Sequence, residues 1–224
     1  MTYRRLCERV SGESGVALVI ALMAMSLMLA LALALTLTTM TEARVAANHE
    51  RGVEAEYAAA AGVERVLREL RAAPDWDPFL NGTTRSSFVD GSHGGVDLVP
   101  VTAERPWGPN NPIWQPIAYG PLNSLAPAGM IDSLMYVIVW IGDDPSENDG
   151  DPLRDGAPPV GCHPESDPSC ADTNPGRGVV EVMAQAIGPD GTRRTIEVTL
   201  SRGHDGEEGV VAAGGRVVSW RDDD

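Results

Sequence analysis

Between Glu13 and Glu42 the chain runs through twenty-eight consecutive residues without a formal charge, and this stretch limits the possible folds more than any other feature. Within it, Val16 to Leu37 reads VALVIALMAMSLMLALALALTL, with only Ser26 and Thr36 as polar interruptions. Twenty-two helical residues at about 1.5 Å each span roughly 33 Å, enough to cross a bilayer core of about 30 Å. A cleaved secretory signal has a shorter apolar region, about 7–15 residues, before a small-residue site. Ala32-Leu33-Ala34 imitates such a site, but the apolar run is too long for that reading. Arg4, Arg5 and Arg9 precede the run, so the positive-inside rule predicts a cytoplasmic N-terminus and a single-pass chain whose remainder is exported.

The overall averages conceal this division. The chain has 224 residues and is 43% hydrophobic, with a mean hydropathy of −0.12. Outside the run it is acidic and rich in Gly and Pro. Its 17 basic residues, all Arg, face 32 acidic ones, a net charge of −15, which disfavours nucleic-acid binding through a basic patch.

The helical pattern does not stop at the end of the uncharged run. No proline occurs before Pro74, and Ala46, Val53, Tyr57, Ala60, Val63, Val66, Leu67 and Leu70 recur near helical spacing. One helix is therefore predicted from Val16 to about Ala73, with a membrane-spanning half over 16–38 and an amphipathic half over 39–73 that must lie on a domain. Glu64 with Arg68 and Arg65 with Glu69 suit its outer face. Gly52 and Gly62 each cost a helix interior about 1 kcal/mol relative to Ala, so they mark bends or close packing.

Four short stretches occur here in a fixed order: Ser14-Gly15; the apolar start Val16-Ala17-Leu18-Val19-Ile20-Ala21-Leu22; Ala46-Ala47-Asn48; and Tyr57-Ala58-Ala59-Ala60-Ala61-Gly62-Val63-Glu64. Together they resemble the N-terminal region of PilX-type minor pilins, accessory proteins of type IV pilus assembly, over about residues 10–73. The resemblance implies a leader over 1–15. A prepilin peptidase would cut between Gly15 and Val16 on the cytoplasmic side and methylate the new Val16 amine. It also implies storage in a bacterial inner membrane, other pilins as partners through the N-terminal helix, and no enzymatic activity. Loss of the leader removes Cys7, three Arg and two Glu, leaving 14 basic and 30 acidic side chains, a net of −16.

One position departs from the family. Major pilins carry a glutamate at the fifth mature residue, where this chain has Ile20. A carboxylate in hydrocarbon is costly unless paired, and in the family it pairs with the amine of a neighbouring subunit. A subunit lacking it suits a filament tip, or a branch that tolerates an apolar residue there. Otherwise Ile20 is a lipid-facing residue of a plain signal anchor whose exported domain binds an envelope component and never assembles.

The expected fold class is α+β: the long N-terminal helix followed by a head over 74–202 built on an antiparallel sheet. Strands are predicted at Leu134–Ile141, Val179–Ile187 and Thr195–Leu200, the last two joined by Gly188-Pro-Asp-Gly191 as a hairpin. Ile196, Val198 and Leu200 alternate with Thr195, Glu197 and Thr199, so one face should pack on the Val53–Leu70 stripe while the other stays wet. Residues 75–130 read as a long, irregular, partly ordered connection, with Trp107 and Trp114 as anchors of a satellite core. Residues 203–224, with acids clustered at both ends, read as a disordered tail.

Cys162 and Cys170 are an even pair in an oxidising compartment, and a disulfide is predicted between them. A metal site using both with His163 lacks a fourth ligand at ordinary spacing. The segment from Gly142 to Gly156 is dense in oxygen ligands; Asp143, Asp144, Glu147, Asp149 and Asp151 would suit Ca²⁺. An EF-hand register fails, since Gly150 at loop position six puts Pro145 first and Gly156 last; a solvated acidic loop is the competing reading. No G-x-S-x-G, H-E-x-x-H or P-loop is present, and His49, His93, His163 and His204 are scattered.

Overall fold

A computed structural model describes residues 7–89, 97–103, 113–147, 151–156, 178–204 and 211–223. Helix α1 covers Cys7–Ala72, and the chain divides into two units, residues 1–50 and 51–224. In the second unit α1 is followed by the short helices α2 (Asp77–Leu80) and α3 (Leu98–Ala103), then by strands β1 (Gln115–Pro121), β2 (Tyr136–Asp143), β3 (Val179–Ile187), β4 (Arg193–His204) and β5 (Val211–Asp223). The five strands form one antiparallel sheet in sequence order, β1-β2-β3-β4-β5. The architecture is α+β, as the sequence predicts.

The apolar stripe of the second half of α1 is where the head's core begins. Ala55, Ala58, Ala59, Val63, Val66, Leu67 and Leu70 are buried, three and four residues apart. They share one cluster with Val137, Val139 and Ile141 of β2, Val180, Val182 and Ala184 of β3, and Ile196, Val198 and Leu200 of β4. Alternate strand residues therefore face the helix, and the β4 face expected to do so does.

The other sheet face is covered too. Trp114, Tyr119, Tyr136, Ile138, Trp140 and Met183 form a second buried cluster, with Leu98 and Val101 of α3 packed against it. Trp140 Nε1 donates to Thr102 Oγ1 at 2.9 Å. Strand β2 is thus buried on both faces, which explains its unbroken apolar sequence. Trp114 is a satellite-core residue as expected; Trp107 lies outside the described residues.

Two expectations need correction. Residues 75–130 are not wholly irregular, because they contain α2, α3 and β1. Pro116 and Pro121 obscured β1, yet proline is tolerated on an edge strand or beside a bulge, and the β1–β2 register shifts between Pro116 and Ala118. The outer edge of β1 is occupied by the chain just after α2: Ser86 N–H donates to Ile117 O at 2.8 Å, and Tyr119 N–H donates to Phe88 O at 2.9 Å.

The second correction concerns the disordered tail proposed for 203–224, and with it the end of the head at residue 202. Strand β4 continues to His204, and β5 pairs with it from His204↔Val211 to Thr195↔Asp223, with register shifts on the way. The acids at either end of the tail hid an acid-free stretch, Gly209 to Arg221, that includes Val210, Val211, Val217 and Val218. Val217 packs on the helix-facing core. Gly215 lies so close to Leu200 that an added Cβ would sit 2.7 Å from its Cδ1, so glycine is what lets the strand cross there.

Candidate functional site

In the first unit, α1 is long and apolar enough to cross a membrane, and none of its most apolar window is buried. The aliphatic and Met side chains from Val16 to Leu37 are 54% to 71% exposed, with Ile20 at 61%. The polar groups within the run are satisfied by the helix itself. Ser26 and Thr36 Oγ donate to the carbonyls of Leu22 and Ala32, each at 2.8 Å. Thr38, Thr39 and Thr41 do the same to Ala34, Leu35 and Leu37. A helix with its hydroxyls bonded internally presents only hydrocarbon outward, which is what a bilayer or a bundle of like helices demands. Gly15 and Val16, the expected processing pair, lie within α1 and are exposed.

In the second unit two features hold α1 on the head. At Gly62 an added Cβ would lie 2.5 Å from Val137 Cγ1 and 3.1 Å from Val139 Cγ2, so the residue marks the closest approach of helix and sheet. Of the two readings the sequence allows for this glycine, close packing is the one observed. The helix C-terminus is fastened as well. Trp76, fully buried, donates its indole N–H to Leu70 O at 2.9 Å. Arg202 of β4 stacks 4.0 Å above the Trp76 ring and donates to Pro74 O at 2.6 Å and Ala73 O at 3.4 Å. Its guanidinium thus meets the two carbonyls just past the end of α1, where a cation also complements the helix dipole. Burial lowers the Arg202 pKa, while Asp155, Asp75 and Asp77 oppose that shift. Neither Trp76 nor Arg202 carries a local sequence signal, because the pair forms only when β4 reaches the end of α1.

The acidic segment after β2 folds into a tight turn. Asp144 accepts from Ser146 N–H at 2.8 Å and Ser146 Oγ at 2.7 Å, and Asp143 Oδ1 accepts from Asp144 N–H at 3.0 Å. Asp143 and Glu147 are buried. Asp151 Oδ1 accepts from Leu153 N–H at 3.3 Å, and Asp149 lies outside the described residues. Among the described residues no group of three or more His, Cys, Asp or Glu is arranged to hold a metal ion. Cys162, His163 and Cys170 also lie outside the described residues.

A carboxylate cluster not foreseen from the sequence sits on the sheet face away from α1. Glu181 of β3 and Glu197 of β4 are diagonal neighbours, Glu181 opposing Thr199 and Glu197 opposing Met183. Glu197 is ion-paired with Arg221 of β5. Burial first, then the negative charges of Glu197 and Asp144, push the Glu181 carboxyl up from 4.5 to about 7, with Arg221 pulling the other way. The lone acid within the apolar strand VVEVMAQAI is the signal for such a group.

Because the folded head holds this proton more tightly than the unfolded chain, its contribution is complete below about pH 4.5 and is lost as the pH rises through about 7. Glu181→Gln should therefore stabilise the head at pH 8 by about 1 kcal/mol after allowance for solvent screening, and by nothing at pH 4.5. Urea midpoints of both proteins at the two pH values measure this, and an equal difference at both would contradict it.

No family model, curated protein or solved structure matches the chain.

Proposed function

We propose that the chain is a PilX-like minor pilin, an accessory subunit of a type IV pilus or pseudopilus, held in a bacterial inner membrane with its head outside the cytoplasm. The observation that carries the reading is α1. Its early residues expose an unbroken apolar surface, and its later residues supply the core of an antiparallel-sheet head. A soluble domain has no use for the first property, and a plain membrane anchor has no need of the second within the same helix.

In this reading the Val16–Leu37 segment stores the subunit in lipid. Extraction into a filament exchanges lipid contacts for contacts with neighbouring pilin helices, at little hydrophobic cost in either direction. Ile20 cannot form the carboxylate–amine pair made by major pilins. Assembly of this subunit then rests on helix packing alone, which suits a terminal position or a supporting role. In the filament the head is presented at the pilus surface or tip. Prepilin peptidase is the processing partner, acting between Gly15 and Val16.

The competing reading, a signal-anchored envelope domain that never assembles, draws on the same Ile20. A photo-crosslinking amino acid placed at Ile20 in cells separates the two. The pilin reading expects adducts to other subunits with prepilin-type N-terminal helices, recovered in part in the sheared surface fraction. Adducts to lipid only would favour the anchor.

A further inference from the structure

On the sheet face away from α1, Glu181 stands between the end of β2 and the middle of β4. Its partner across β2 is Gly142, and its partner across β4 is Thr199. Trp114 lies over Gly142, with two ring carbons 3.0 and 3.1 Å from the place a Cβ would take, so an aromatic ring rather than water covers the strand beside Glu181. The acids of this region come from separate elements. Glu197 belongs to β4, is hydrogen-bonded to Glu181 and is ion-paired with Arg221 of β5. Asp144, two residues beyond Gly142, opens the turn that follows β2. Among the described residues the charged groups that act on Glu181 are therefore Asp144 from that turn, Glu197 from β4 and Arg221 from β5, while β2 itself opposes it with a glycine.

Each of these interactions is reciprocal. Glu197 and Asp144 favour the neutral form of Glu181, so ionised Glu181 is repelled by both; Arg221 favours the ionised form, so ionised Glu181 is drawn toward β5. The two repelled carboxylates differ in what holds them. Glu197 lies in a strand paired on both sides, with Met183 of β3 and with Arg221 of β5, and cannot withdraw. Asp144 lies just past the end of β2, in a turn closed by Ser146 N–H donating to Asp144 Oδ1 at 2.8 Å and Glu147 N–H donating to Asp144 O at 3.1 Å. Since no three acids among the described residues are arranged to share a metal ion, the repulsion is relieved by a proton on Glu181 or by movement of the turn.

We infer that Glu181 is a proton-operated latch for the turn after β2: protonated, it lets residues 143–147 close against the sheet, and ionised, it repels Asp144 and the turn opens. Opening carries the buried carboxyl of Glu147 into water, where a charged group is better solvated, so the open form is self-supporting once the proton has left. Burial and the neighbouring acids place the change near neutral pH, within the range a medium outside a cell can cross. Strand β5 does not take part, because Arg221 is attracted by the same ionisation that repels Asp144. The latch is a property of the head alone and holds whether or not the chain enters a filament.

Hydrogen exchange of the full-length chain in mild detergent, corrected for intrinsic rates at each pH, tests it. Between pH 6 and pH 8 the protection of the Ser146 and Glu147 amides should fall about fivefold, the size of one partly screened charge repulsion. The Gly188 amide, which donates to Thr192 O at 2.8 Å in the β3–β4 turn, should keep its protection. Glu181→Gln should make the two turn amides insensitive to pH. Asp144→Asn should do the same while keeping an acceptor for Ser146, and so separates repulsion from loss of the turn's own hydrogen bonds. Unchanged protection in the wild type, a fall that persists in either variant, or an equal fall at Gly188 would overturn the inference.

Discussion

Gly62→Val is expected to undock α1 from the sheet and to lower the stability of the head by more than about 3 kcal/mol, on the order of 10 °C in Tm. The reason is geometric. A Cβ alone would come within 2.5 Å of Val137 Cγ1, and Val137 is fully buried in the second strand of a five-stranded sheet. Val137 is also β-branched and stiff, so it cannot swing aside cheaply. The neighbouring helix residues on this face, Ala58 and Ala59, are small and buried as well. The helix must therefore lift, and every aliphatic contact from Val63 to Leu70 loosens with it. Gly52 is the control, since the nearest atom to a Cβ there is the flexible Arg194 Nη2 at 3.7 Å. Gly52→Ala should gain up to about 1 kcal/mol from helix propensity. Thermal unfolding of the detergent-solubilised chain measures both, and two glycine variants that behave alike would refute the assignment of Gly62 as the closest contact.

Trp76→Ala should cost about 3–5 kcal/mol, the usual range for emptying a fully buried large aromatic site. Three things fail together: core volume beside Leu70 and Leu80, the indole bond to Leu70 O, and the ring on which Arg202 lies. Trp76→Phe keeps most of the volume and loses the hydrogen bond, so about 1–2 kcal/mol is expected. Arg202→Ala should cost less than Trp76→Ala, because part of the arginine's gain is offset by its own desolvation. The observable is the urea midpoint, and the required order is alanine at 76 worst, then the two milder variants. A Trp76→Ala protein as stable as wild type would mean that the end of α1 is not fastened there.

What could be read from the sequence was what repeats locally. The end of the helix stripe, Val63, Val66, Leu67 and Leu70, the alternation of Ile196, Val198 and Leu200, and the apolar strand β2 are each legible within one element and each is placed as expected, whereas Tyr57, read on the same stripe, is 72% exposed and its place in the core is taken by Ala55, Ala58 and Ala59. What could not be read depends on neighbours distant in the chain. Strand β1 looks broken by Pro116 and Pro121 until its edge position and bulge are known. Strand β5 is masked by acids at its ends, and its glycines look like linker until Leu200 is placed against Gly215. The Trp76–Arg202 fastening and the raised pKa of Glu181 arise from contacts between elements that no local pattern encodes. On the functional side, what the sequence carries plainly is the exposed apolar helix, and the roles of Gly15, Val16 and Ile20 within it belong to the proposal.

The account turns on whether this helix is processed as a pilin helix. Mass spectrometry of the N-terminus of the chain isolated from its own membranes decides that most directly. The proposal predicts a chain that begins at Val16 with a methylated amine and carries a net side-chain charge of −16, counted from 14 basic and 30 acidic residues. A chain that still begins at Met1, or one that begins near Leu35 after signal cleavage, would contradict it.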